Sequence, residues 1–157
     1  MKKLNVVGCG KVGQTLAHLW HKQGVFAIQD VLTTSLSSAQ TACAQVGAGR
    51  PVQTAAAMRP ADVWMIGVQD AQIAGTATAL AVAGSLQASD EPVPTVFHCS
   101  GALSSSVLAA LAAIGWKTAS AHCILSFSSA MAAIEQFPGT ACALERSEER
   151  RVGKECL

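Results

Sequence analysis

The chain has 157 residues, half of them hydrophobic and only 13% charged, a balance that suits one folded domain with a real core and excludes disorder. Residues 146–157 hold four of the 11 basic and three of the 10 acidic residues, so residues 1–145 carry seven of each and no net charge. A neutral body has no field to draw a nucleic-acid backbone or an anionic membrane, and its longest apolar helical run, Ile73–Leu86, is shorter than the roughly 20 residues of a membrane span.

Met1–Val7 is expected to form a short strand. Lys2 and Lys3 before an apolar run imitate a secretion signal, but Lys11 cuts the run short and no small-residue cleavage site follows; the chain is expected in the cytoplasm. GCGKVG follows, then QTLAHLWHKQG, whose Val12, Leu16, Leu19 and Trp20 recur at helical spacing up to a stop at Gly24. Gly8, Gly10 and Gly13 make G-x-G-x-x-G directly after a strand and at the opening of a helix, the setting in which the pattern points to a dinucleotide. Gly8 would permit the tight turn, Gly10 the approach of a pyrophosphate, and Gly13 close packing of helix on strand. Phosphates would rest on N–H groups at the positive end of the helix, which adds Cys9, Lys11 and Val12 to the cofactor-binding residues.

VFAIQDVLTT reads as the second strand, and its tip chooses the cofactor. A carboxylate there would bind the ribose 2′-hydroxyl of NAD. The tip reads Thr33-Thr34-Ser35, and Asp30 lies too early, inside the strand. Hydroxyls do not repel a 2′-phosphate, which favours NADP; the absence of an arginine clamp keeps NAD as an alternative.

SLSSAQTACAQVG reads as a second helix, RPVQ as a short third strand and AAAM as one helical turn. Asp62–Val68 is a buried strand, and DAQIAGTATALAVAG is a helix with Asp70 as its N-cap. After a polar loop at residues 85–94 come the strand Thr95–Gly101, a helix over SSSVLAALAAIG, the strand KTASAHCIL, a helix over SSAMAAIEQF and the strand GTACALE. Alternation of β and α with apolar strands implies an α/β fold: a doubly wound, mostly parallel sheet with helices on both faces.

Ligands of such sheets lie beyond the carboxyl ends of the strands. Gly67, Val68 and Gln69, with Ser100 and Gly101, are therefore further cofactor-binding candidates. His122 and Ser100 are candidates for proton transfer. His98, inside a strand, reads as a packed core histidine. The six cysteines stand at least 14 residues apart, so no ligand pair or CxxC is apparent; five read as small core residues and Cys156 as part of the tail.

LNVVGCGKVGQTLAHLW, RPADVWMIGVQDAQIA, VFHCSGALSSSVLAAL and SAHCILSF together resemble a family of oxidoreductases. Its members join an N-terminal Rossmann-like NADP-binding domain to a C-terminal helical domain of unknown function. They are distantly similar to pyrroline-5-carboxylate reductase and the deazaflavin-dependent NADP reductases. The resemblance covers residues 1–145 and is most specific at Ser100–Leu103. It implies hydride transfer on a small substrate, a carbonyl or imine, and a homodimeric full-length protein whose second domain completes the substrate pocket. Two positions depart from it: the family carries an arginine near the tip that here reads Thr33-Thr34-Ser35, and His-Pro where this chain has His122-Cys123. The alternatives are a non-catalytic nucleotide-binding or redox-sensing module, and methyl transfer with S-adenosylmethionine.

RSEERRVGKECL, residues 146–157, has too balanced a charge for a basic arm. Up to Cys156 it matches the in-frame translation of a common sequencing adapter. The expectation is a Rossmann-like domain at 1–145, a non-native tail at 146–157, a lost helical domain and a fragment that does not turn over.

Overall fold

A computed structural model describes residues 1–85, 92–146 and 149–153. The strands are β1 (Lys2–Val7), β2 (Phe26–Leu32), β3 (Arg50–Val52), β4 (Val63–Ile66), β5 (Thr95–His98), β6 (Lys117–Cys123), β7 (Cys142–Arg146) and β8 (Glu149–Gly153). The helices are α1 (Lys11–Lys22), α2 (Leu36–Val46), α3 (Asp70–Ser85), α4 (Ala109–Ala113) and α5 (Ala130–Gln136). A 3₁₀ turn at Ala55–Ala57 precedes β4, and a second, Ser105–Leu108, leads into α4.

One sheet runs in the order β3-β2-β1-β4-β5-β6-β7-β8. The first six strands pair in parallel, so the doubly wound reading holds. Because side chains alternate along a strand, the sheet feeds two cores. Leu4, Val6 and Met65 point to one face, where Leu16 and Ala17 of α1 and Ala42 and Val46 of α2 cover them. Val7, Trp64 and Ile66 point to the other, under Ile73, Ala77 and Leu80 of α3 and Leu111 of α4. Each fully buried aliphatic side chain contributes about 1.5–3 kcal/mol.

β7 runs antiparallel to β6, and β8 antiparallel to β7. α5 has seven residues and rises about 10 Å, less than half the roughly 23 Å of β6. β7 begins where β6 ends, with Cys142 opposite Cys123. The stretch read as a foreign tail takes part in the sheet over 149–153, through the β7 ladder. Residues 147–148 and 154–157, and 86–91 of the polar loop, lie outside the described residues. Among the described residues no helix is long and apolar enough to cross a membrane.

A buried carboxylate ties β2 to β3 and to the segment before β4. Asp30 is fully buried. Arg50 meets it with Nε at 2.8 Å and Nη2 at 3.0 Å. Arg59 donates its backbone N–H at 2.7 Å and Nη2 at 2.7 Å, and Asn5 Oδ1 accepts from the Asp30 backbone N–H. Burial alone would raise the Asp30 pKa, but the hydrogen bonds from Arg50 and Arg59 outweigh it and hold the carboxyl at about 2. A folded value below the unfolded one makes this contribution complete above roughly pH 4 and lost as pH falls toward 2.

Asp30→Asn should therefore cost about 1–3 kcal/mol at neutral pH, below the range for fully buried pairs because both guanidiniums are half exposed. Denaturation at a series of pH values should show the gap between wild type and variant closing between pH 4 and 2. A gap that stays constant over that interval would show that the ion pairs do not stabilise the fold.

Candidate functional site

The strand order reverses between β1 and β4, and a cleft opens at the carboxyl ends of these two strands. Three glycine backbones crowd at its floor. Gly8 adopts φ +79°, and a Cβ there would lie 2.5 Å from Val68 Cγ1 and 2.6 Å from the Val68 nitrogen. A Cβ on Gly67 would strike the Gly8 carbonyl oxygen, and one on Gly13 would reach it at 2.9 Å. Gly67 N–H also donates to Val7 O, and Gly8 N–H to Leu32 O, which extends the ladders into the loops. The Gly8 carbonyl is thus wedged between α1 and the loop after β4. Side chains at Gly13 and Gly67 would push these elements apart.

Gly10 is different. Its backbone is extended, at φ −77° and ψ −159°, and a Cβ there would meet nothing within 4 Å. Neither conformation nor a protein neighbour calls for glycine. The open space lies in front of the first turn of α1, and Gly10 lines the cleft. That turn has no side-chain cap and no acidic residue, and it places Lys11 at the positive end of the helix dipole. Ser35 and Ser129 cap α2 and α5 by accepting from the N–H groups of Ser38 and Ala132. Bare N–H groups, a nearby cation and open space beside the glycine suit an anion such as a pyrophosphate.

The cleft encloses about 1090 Å³. Of the residues expected to bind the cofactor, Gly8, Cys9, Gly10, Thr33, Thr34, Gly67, Val68 and Gln69 line it. Lys11 and Val12 open α1 beside it, Val12 leaning on the core, and Gly13 is buried beneath it. Ser35 serves as the α2 cap. Further lining residues were not singled out from the sequence: Ser37, Ser38, Thr41 and Gln45 on α2, Gln72 and Thr76 on α3, and Gln53 and Thr54 after β3. Their polar stripes at helical spacing were readable. Asp70, expected as the N-cap of α3, is instead its first residue, one place inside the helix, and Gln69 O accepts from Gln72 N–H.

Among the described residues lining the cleft, Cys9 is the one titratable group. Burial, with Cys43 nearby, pushes its thiol up to about 12, so it stays protonated and unreactive. The polar lining is otherwise neutral hydroxyls and amides.

Ser100, Gly101 and His122 do not line this cleft; they form a second cluster at the tips of β5 and β6. Ser100 Oγ accepts from the N–H groups of Ala102 and Leu103, folding the loop on itself. A Cβ on Gly101 would lie 2.7 Å from His122 Nε2, so the imidazole packs flat against the glycine. His122 Nδ1 stands 3.4 Å from Cys99 O. His98 is fully buried, as expected, and it also holds this loop: Nδ1 accepts from Ser100 N–H at 3.2 Å, which leaves Nε2–H to donate to Ser104 O at 3.1 Å.

A family model for the Rossmann-like domain matches residues 2–123. No curated protein sequence matches the chain. Among solved structures, a presumed NADP oxidoreductase of Bacteroides fragilis superposes with a TM-score of 0.72 at 16% identity, over 93% of this chain and 52% of that one. A pyrroline-5-carboxylate reductase from Coxiella burnetii gives 0.70 at 15% identity, over 94% and 50%. A prephenate dehydrogenase from A. aeolicus, in complex with hydroxyphenyl propionate and NAD+, gives 0.67 at 16% identity, over 96% and 52%. At such identities the likeness establishes the fold, and this chain spans about half the length of each of these structures.

Alanine at the glycines separates the two kinds of constraint. Gly13→Ala and Gly67→Ala should each cost about 2–3 kcal/mol or more in thermal or urea unfolding. Gly10→Ala should cost about 1 kcal/mol or less. Equal losses at all three positions would mean that the space beside Gly10 has a structural use.

Proposed function

The chain belongs to the Rossmann-like domain family, and from that premise we propose that it is the NADP(H)-binding half of a cytoplasmic oxidoreductase acting on a small carbonyl or imine. The observation that carries this reading is Gly10: a glycine that neither the backbone conformation nor any neighbour requires, at an uncapped helix start facing a cleft. A bound nicotinamide dinucleotide would supply the hydride chemistry. This chain's part is to hold it: backbone N–H groups of the α1 turn for the pyrophosphate, and the hydroxyls at Thr33, Thr34, Ser37 and Ser38 for the ribose at the β2 tip.

The same hydroxyls support NADP over NAD. The tip offers no carboxylate to repel a 2′-phosphate. Arg50 and Arg59, the first two cations after the tip in sequence, are engaged by Asp30. With neutral donors alone the preference should be modest, roughly threefold to tenfold in affinity.

A non-catalytic binding module is the second reading, and one observation favours it: among the described residues lining the cleft, none is able to exchange a proton near neutral pH. In the first reading His122 and the Ser100–Gly101 loop border the substrate, with the pocket and the homodimer completed by a further segment of the full-length protein. The isolated 157-residue chain is then expected to bind without turnover.

Calorimetry or thermal shift should show NADPH binding at sub-millimolar concentration, weaker NADH, and no competition from S-adenosylmethionine. Gly10→Ala should lower dinucleotide affinity at least about tenfold while keeping its melting temperature near that of wild type. Undiminished NADPH affinity in Gly10→Ala would remove the main support for the reading. Steady-state NADPH oxidation by this chain alone would show that its own residues complete the catalytic site.

A further inference from the structure

The five described cysteines are far apart in sequence, yet the β6–β7 pairing brings two of them together. Cys123, the last residue of β6, stands directly opposite Cys142, the first residue of β7. Their sulfur atoms are 3.9 Å apart. Ile124 N–H donates to Ala141 O at 2.9 Å, which marks that opposed pair as hydrogen-bonded. Hydrogen-bonded and non-hydrogen-bonded pairs alternate along an antiparallel ladder, so Cys123 and Cys142 fall on the non-hydrogen-bonded kind. There the Cα atoms approach to about 4.5 Å, inside the separation that a disulfide spans. The sulfurs need only turn about the Cα–Cβ bonds to close the remaining gap.

We propose that Cys123 and Cys142 are an oxidisable pair that forms an intrachain disulfide across β6 and β7. The oxidant is a hydroperoxide, small enough to reach thiols whose residues are only 5% and 2% exposed. One thiolate attacks the peroxide oxygen and becomes a sulfenic acid, and the O–O bond breaks to release water or an alcohol. The second thiolate attacks the sulfenic sulfur, the S–S bond forms, the S–O bond breaks and water leaves. The two thiols lose two electrons and two protons, and the hydroperoxide takes both. The bond closes a loop over residues 124–141, which includes α5, and it pins the end of β6 beside His122. The proposal is independent of dinucleotide binding.

The sequence makes the test direct. Cys123 and Cys142 share one tryptic peptide, residues 118–146, and no other cysteine lies in it. The folded full chain is treated with hydrogen peroxide, alkylated after denaturation, and digested. The expected product is the 118–146 peptide lighter by two hydrogen atoms and carrying no alkyl group. A second cut after Glu135 should leave its halves joined until a reductant is added. Cys142→Ser should abolish the joined product, and the oxidised wild type should melt several degrees higher, reversibly with dithiothreitol. The proposal is overturned if peptide 118–146 takes up two alkyl groups while other cysteines oxidise. Stepwise oxidation to sulfinic acid without joining, or joining only in urea, would overturn it equally.

Discussion

The candidate site depends on one steric constraint, the confinement of the Gly8 carbonyl between Gly13 and Gly67. The contact joins the turn between β1 and α1 to the end of β4, 59 residues further along the chain. Glycine at these positions lets α1 and the β4 loop close on the β1 turn. That closure aims the α1 N-terminus along the floor of the cleft. The contact lies beside the β1–β4 switch point, where the helices that follow neighbouring strands depart to opposite faces and leave a crevice. Close packing below the loop and open space above it are two sides of one arrangement, and Gly10 stands on the open side.

Charge is handled differently within β2 and at its tip. Toward its middle, Asp30 gathers two arginines and a backbone N–H into a buried knot that secures β3 and the turn before β4. At its tip the polar groups that the described residues present to the cleft are hydroxyls and amides. The acidic residue that a reader of the sequence would test as a ribose ligand is thereby a structural one, and the two arginines that follow the tip in sequence are already held. What remains is a neutral cleft whose electrostatic asymmetry comes from the helix end and Lys11. Such a surface suits binding, and Ser100 and His122, the candidates for proton transfer, stand apart at the β5 and β6 tips.

Much of this was legible in the sequence because its signals are local. The strand–glycine–helix run at residues 2–22 and the apolar strands at β4 and β5 each announce themselves within a few residues. The role of Gly67 did not, since its partner is the carbonyl of a residue 59 positions away. The antiparallel direction of β7 rests on its pairing with β6, which no signal within a few residues announces. The pairing of residues 149–153 with β7 rests on backbone bonds that any sequence can make, so a stretch that reads as foreign can still be drawn into an edge. The Cys123–Cys142 approach is likewise a product of register, invisible in spacing. The separation of Ser100 and His122 from the cleft required the widths of two strands.

The central claim is that the cleft above Gly10 receives a dinucleotide through backbone N–H groups. It is tested most directly by amide chemical-shift mapping of the isotopically labelled chain during titration with NADPH. The account predicts saturable shifts concentrated at Gly8–Gly13, Thr33–Ser38 and Gly67–Gln72, with the largest at the first N–H groups of α1. Saturable shifts confined to the β6–β7 side of the sheet, or none at millimolar NADPH, would contradict it.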